Sequence, residues 1–328
     1  MDSLIFAINA VTPLIALVAL GYFLKRIGWI NGDLSKKLNR LVFHVFLPVT
    51  LFLNVYRIEN LGSIDFGYVL YAMAALAVLF LLGLVAVVLF IPERRQRGAI
   101  WQAAFRSNYA LIGIPLAEAL FGDDGVLAAT LLSAIIVPSL NALAVVSLSL
   151  FREGEEKASV KKVLVGIVKN PLIQAIALGL AVSLVRSVFV KNGIFFRISD
   201  IKPVDKTLSY LSGLSTPLAL LALGAQFEFS AVASLKKQII MGVFMRTVLA
   251  PVLGIGIAYL LFRDTFNGAH FASLVAVFST PVSVSSVPMT QEMDGDATLM
   301  GQLVVWTTLL SAASIFIVSF LLRLTGIF

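Results

Sequence analysis

The feature that most restricts this chain is its long stretches without charge. Leu70 to Phe90 carries no charged side chain, and Gln238 to Phe262 carries only Arg246. Each is long enough to cross a hydrocarbon core of about 30 Å, which takes about 20 helical residues. Charged residues make up 13% of the 328-residue chain, against about a quarter in a soluble domain. The sequence therefore predicts an all-α membrane protein that crosses the bilayer many times.

Hydropathy divides the chain into ten transmembrane helices, at about 4–24, 38–56, 66–91, 99–121, 125–150, 163–188, 207–227, 238–262, 270–290 and 297–322. The first stretch lacks a basic leader and a small-residue cleavage pattern, so it reads as the first span. The loops after spans 1, 3, 5, 7 and 9 hold 15 Lys and Arg, from Lys25 to Lys237, against 8 on the other side. The richer side is expected to be cytoplasmic, with both termini outside a plasma or inner membrane. That placement also accounts for the net charge of +7 without a nucleic-acid partner.

The chain repeats itself. Pro13 to Gly21 and Pro171 to Gly179 agree at six of nine positions. Pro48 in span 2 answers Pro217 in span 7, with Glu59 and Glu228 eleven residues beyond, and Pro115 in span 4 answers Pro281 in span 9. Two copies of five spans must insert with opposite orientation. Inverted repeats of this kind mark secondary transporters, whose site lies near the midplane between the halves. The division is 1–151, a cytoplasmic linker 152–162, and 163–328.

Spans 4 and 9 are interrupted at matching places, at Gly113-Ile-Pro115 and within Ser279 to Pro288. Proline removes a backbone donor and clashes with the preceding turn, and unwound backbone survives in a bilayer only against protein or a wet cavity. Two broken, crossed helices would turn fresh helix N-termini toward an anion such as a carboxylate. Asn108, Gly113, Pro115, Thr280, Pro281, Ser283 and Ser285 are the candidate binding residues, with Asn141 from span 5. Arg106 and Arg246 each lie about eight residues into a span, where they either meet the anion or brace the breaks. Glu118 either carries a coupling ion or sits in the outer vestibule. Asn54 is either cavity-lining or an interhelical contact; His44 and His270 read as interfacial.

Enzyme chemistry has no foothold. The absence of cysteine excludes disulfides, thiolate metal sites and cysteine nucleophiles, and HExxH and Walker motifs are missing. No cofactor or metal is expected.

Asn108-x-x-x-x-Gly113-Ile-Pro-Leu116, closing with Phe121-Gly122, resembles the fourth span of the auxin efflux carrier family. That family includes plant PIN-type carriers and bacterial malate or malonate permeases. Asn170-Pro171, Arg246 with Pro251, and Pro281 followed by Glu292 extend the resemblance along the chain. It implies an elevator-type transporter of small organic anions, with helices 1, 2, 6 and 7 as scaffold and 3–5 and 8–10 as the moving part. Coupling to H+ or Na+ and a homodimer are compatible with it. A more distant likeness, to sodium/bile acid symporters, gives the alternative of a sodium-coupled carrier. The chain departs from plant members in its short central connection, in Glu118 where they tend to be basic, and in Asp65 without a following lysine.

Overall fold

The computed structural model describes residues 2–57, 65–152, 160–192 and 195–328. Glu59, Lys157 and most of the expected linker, residues 153–159, lie outside the described residues. Regular structure among the described residues is helical, apart from one isolated antiparallel bridge between Ser107 and Val282. Among the described residues, seven helices are long and apolar enough to cross a membrane.

In chain order, α1 is Asp2–Arg26, α2 Gly32–Tyr56, α3 Phe66–Phe90 and α4 Arg94–Phe105. The next, α5, is Tyr109–Ser149. Then follow α6, Val160–Lys169, α7, Pro171–Lys191, and α8, Lys202–Gln226. The chain closes with α9, Lys236–Phe262, α10, Gly268–Phe278, α11, Ser286–Glu292, and α12, Ala297–Leu324.

The starts are written in side chains. Asn31, Asp65, Asn170, Asn267 and Asp296 each accept a backbone N–H of the first turn, as N-caps do. Proline marks the distortions inside helices. In α2 a π-helical turn at Val42–Phe46 precedes Pro48, and in α9 two such turns flank Pro251. A missing N–H leaves one carbonyl of the ladder unbonded, and an extra residue in the turn relieves the ring clash.

The 41 residues of α5 do not form one rod. Phe121 and Gly122 leave helical geometry, and Gly122 has a φ of +58°, which favours glycine. A Cβ on Gly125 would collide with the carbonyl of Ala117. The Tyr109 hydroxyl donates to the Ala129 carbonyl at 2.8 Å, across a separation that would span about 30 Å in a straight helix. The chain doubles back at Gly122, where the sequence places the turn between spans 4 and 5.

Two helix pairs define one side of the molecule, α1 against α8 and α2 against α7. Both pack at glycine. A Cβ on Gly21 would strike the Leu221 carbonyl, and one on Gly179 would lie 3.1 Å from the Phe52 carbonyl. The other side is built around α10, buried from Phe271 to Phe278 and packed on α5. Large apolar side chains cover the outside, among them Leu89 at 69% and Leu260 at 76% exposure. So much apolar surface suits hydrocarbon rather than water.

Candidate functional site

Two helices stop in the interior and restart after a few residues. The first break follows Phe105. Arg106 is extended, Ser107 pairs with Val282, and the Asn108 N–H donates to the Pro281 carbonyl at 2.8 Å before α5 begins. The second break follows Phe278 and runs to Ser285, where α11 starts. The two interruptions therefore touch through their backbones, and the freed Pro281 carbonyl takes the Asn108 N–H.

The first break lies earlier than the sequence expectation. Gly113 and Pro115 are helical, within a π-helical turn at Tyr109–Gly113 and the start of the helix that follows. Pro115 cannot donate to the carbonyl four residues back, and the wide turn accommodates that loss; the chain leaves the helix at Arg106–Asn108 instead. The helix ends also change the pairing of landmarks. Pro115 and Pro288 each lie ten residues past an ending phenylalanine, and Asn108 and Pro281 each lie three past it. Pro115 thus corresponds to Pro288, and Asn108 faces its own counterpart, Pro281.

A cavity of about 460 Å³ opens between this crossing and the α1–α2–α8 side. Arg106, Ser107, Asn108, Asn141, Ser283 and Ser285 line one wall. Thr50, Asn54, Ser212, Ser215 and Thr216 line the other, with Ser212 donating to Thr50 at 3.1 Å. Tyr109, Ala110 and Leu111 also reach the cavity. As the first residues of a helix, they have N–H groups without intrahelical acceptors.

Arg106 is 1% exposed. Its Nη1 donates to Gln102 Oε1 at 2.7 Å, and its Nη2 to Asn141 Oδ1 at 2.9 Å and Ser285 Oγ at 2.8 Å. Ser285 is also hydrogen-bonded to Ser283 at 2.9 Å. All these partners are neutral. The buried Asn108 Nδ2 and Ser107 Oγ beside them have no partner. A cation with neutral neighbours and a spare amide donor form a wall that favours negative charge.

Arg246 stands behind the crossing. Its Nε donates to the Thr280 carbonyl at 2.7 Å and its Nη2 to the Val277 carbonyl at 2.6 Å, so it caps the end of α10. Lys and Arg suit that position because the last carbonyls are orphaned and carry partial negative charge. Thr280 is fully buried and donates to the Ala276 carbonyl at 2.7 Å. Gly113 faces α10, where a Cβ would come within 2.9 Å of the Ala276 carbonyl. Gly113, Pro115, Thr280 and Pro281 shape the crossing rather than the cavity wall. Glu118 is exposed and does not border the cavity.

Sequence reading missed Ser107, Thr50 and the polar run from Ser212 to Thr216. The last two were detectable, since they flank the matched prolines Pro48 and Pro217. A second polar cluster joins α11 to the opposite side. Gln291 Oε1 accepts from Asn39 Nδ2 at 2.8 Å and Gln226 Nε2 at 3.1 Å, and Glu292 pairs with Arg40 at 3.4 Å. His44 lies 3.9 Å from the same carboxylate and is exposed, whereas His270 stacks on Tyr68. This cluster borders a larger charged cleft of about 810 Å³ at the end of the molecule. Neither break reaches that cleft. Gln226 is ten residues beyond Thr216 on α8, so the cluster lies about 15 Å along that helix from the cavity wall.

The model of the family described as membrane transport protein matches residues 6–319. The chain belongs to that family. This is the auxin efflux carrier family that the fourth span resembles. An uncharacterized transporter of Methanothermobacter thermautotrophicus is 26% identical over 310 residues, covering 94% of this chain and 95% of its own. A second uncharacterized transporter, from Methanocaldococcus jannaschii, is 27% identical over 220 residues, covering 66% and 67%. With its apolar helices, the chain is a multi-pass membrane protein of a transporter family.

Proposed function

We propose that the protein is a secondary active transporter of a small organic anion, a carboxylate in the size range of malate, malonate or an auxin-like acid. The observation that carries this reading is Arg106, a buried cation with neutral partners only, beside the partnerless Asn108 amide in the cavity wall. The carboxylate rests between Arg106, Asn108, Asn141, Ser283 and Ser285.

Ten spans in two inverted repeats support an elevator-type mechanism. The doubled-back α5 counts as two passes with α4, and α10 with α11 counts as one broken pass. The sequence pairs Gly21 with Gly179, and through Pro48 and Pro217 it pairs Phe52 with Leu221. The contacts Gly21–Leu221 and Gly179–Phe52 exchange under that pairing, as a two-fold axis between repeats requires. Helices α1, α2, α7 and α8 form the scaffold, and α3–α5 with α9–α12 carry the anion past it. The protein works in a plasma or inner membrane, with both termini outside and H+ or Na+ as the coupling ion.

Uptake of labelled malate, malonate and indole-3-acetate into proteoliposomes, with and without H+ and Na+ gradients, tests the reading. Saturable flux of at least one carboxylate is expected. Failure of every carboxylate, alongside saturable flux of a neutral or cationic solute, would overturn it.

A further inference from the structure

We infer that Arg106 makes a bound monoanion the condition for reorientation, so that the protein exchanges anions rather than letting the empty carrier return. The inference rests on the elevator reading above.

Arg106 and Arg246 are the buried charged side chains among the described residues, and both are positive. They are not equivalent loads. Arg246 is set on the carbonyl end of α10, whose partial negative charge travels with it. Arg106 donates to an amide oxygen of Gln102, an amide oxygen of Asn141 and the hydroxyl of Ser285, none of which carries charge. That guanidinium is 1% exposed but abuts the open cavity, whose polarisable space lowers the cost of its charge. During a rigid-body passage the cavity must close against apolar scaffold such as Leu14, Leu47 and Leu51, and that relief is lost.

A monoanion seated on Arg106 cancels that charge, so the loaded site crosses without net charge. An empty site crosses as a cation and a dianion-loaded site as an anion, and both are resisted, so malate or malonate crosses only together with one H+ or Na+. The opposite wall, with Thr50, Asn54, Ser212 and Thr216, offers hydrogen bonds but no second cation. It therefore suits an uncharged polar tail on the substrate better than a second carboxylate. Retarding the empty carrier by about a hundredfold corresponds to about 2.7 kcal/mol on its barrier.

The native chain has no cysteine, so a single probe is clean. Leu111→Cys places a thiol on the cavity side of the moving part. In proteoliposomes with the bulky sulfonate MES as anion, a membrane-impermeant maleimide should label it from one face only. Combined with Arg106→Gln, it should become reactive from both faces without any carboxylate. In parallel, labelled indole-3-acetate should enter vesicles preloaded with unlabelled indole-3-acetate about a hundredfold faster than vesicles without it, at clamped potential. Two-sided labelling with Arg106 intact, or equal uptake with and without preload, would overturn the inference. Absence of carboxylate flux together with the expected labelling pattern would sink the organic-anion reading and leave the role of Arg106 standing.

Discussion

Arg106 and Arg246 invite comparison, because each is fully buried and each reaches the segment that interrupts the ninth span. Arg246 spends its Nε and Nη2 on main-chain carbonyls of Thr280 and Val277, and its buried Nη1 has no partner. Those carbonyls have no other use once Pro281 ends the ladder, so the side chain completes a helix end. Arg106 spends its donors on side chains that line a cavity. Side-chain acceptors can rotate away when a better one arrives, whereas carbonyls at a helix end cannot. The same residue type therefore closes a helix end in one place and lines a cavity, as the proposed site, in the other.

The largest effect should come from Arg106→Gln. Carboxylate flux should fall at least about a hundredfold, the usual scale for losing a charged binding donor, while size-exclusion profile and thermal stability hold. A variant that unfolds instead would make Arg106 a second Arg246 and erase the contrast.

Asn108→Ala should cost about thirtyfold in flux, roughly one to three kcal/mol of hydrogen bonding to charge, and leave folding intact. Its backbone bond to Pro281 does not depend on the side chain. Unchanged affinity and turnover would remove Asn108 from the site.

Arg246→Leu should do the reverse. Two carbonyls lose their donors, and the midpoint of thermal unfolding should drop by an amount corresponding to about 3 kcal/mol. In the surviving folded fraction, anion affinity should stay within about threefold of native, an effect under 1 kcal/mol. A strong affinity loss with native stability would place Arg246 in the binding wall.

The smallest effect is expected at the polar cluster between α11 and the scaffold side. Gln291→Leu removes acceptors for Asn39 and Gln226 and should shift the balance between the carrier's two states about fivefold, near 1 kcal/mol. Cysteine accessibility on the cavity wall reads that shift. No change would mean that the cluster only solvates the end of α11.

Legibility in the sequence was uneven for physical reasons. Pro281 could be read directly, because a helix cannot donate from a residue without an N–H. Pro115 misled by seven residues, since a π-helical turn absorbs it and the real gap is set by pairing with a strand-like segment of the other half. Asn108, Asn141, Ser283 and Ser285 were found as polar residues in apolar spans, and they meet in space. Glu118 drew attention by the same logic, yet its helix turns it away from the cavity. Thr50 and Ser212 went unnoticed because hydroxyls in a span commonly bond their own helix, as Thr50 does with the Phe46 carbonyl.

By itself the sequence determined that the chain lives in a bilayer, roughly where each helix runs, and that two of them are interrupted, because hydrophobic length and missing backbone donors are local properties. The tertiary structure alone decided where the first interruption falls, which residues share a wall, and which arginine lines the cavity. Those outcomes depend on acceptors brought from more than a hundred residues away, such as Ser285 for Arg106 and Pro281 for Asn108, and no local pattern in the chain records them.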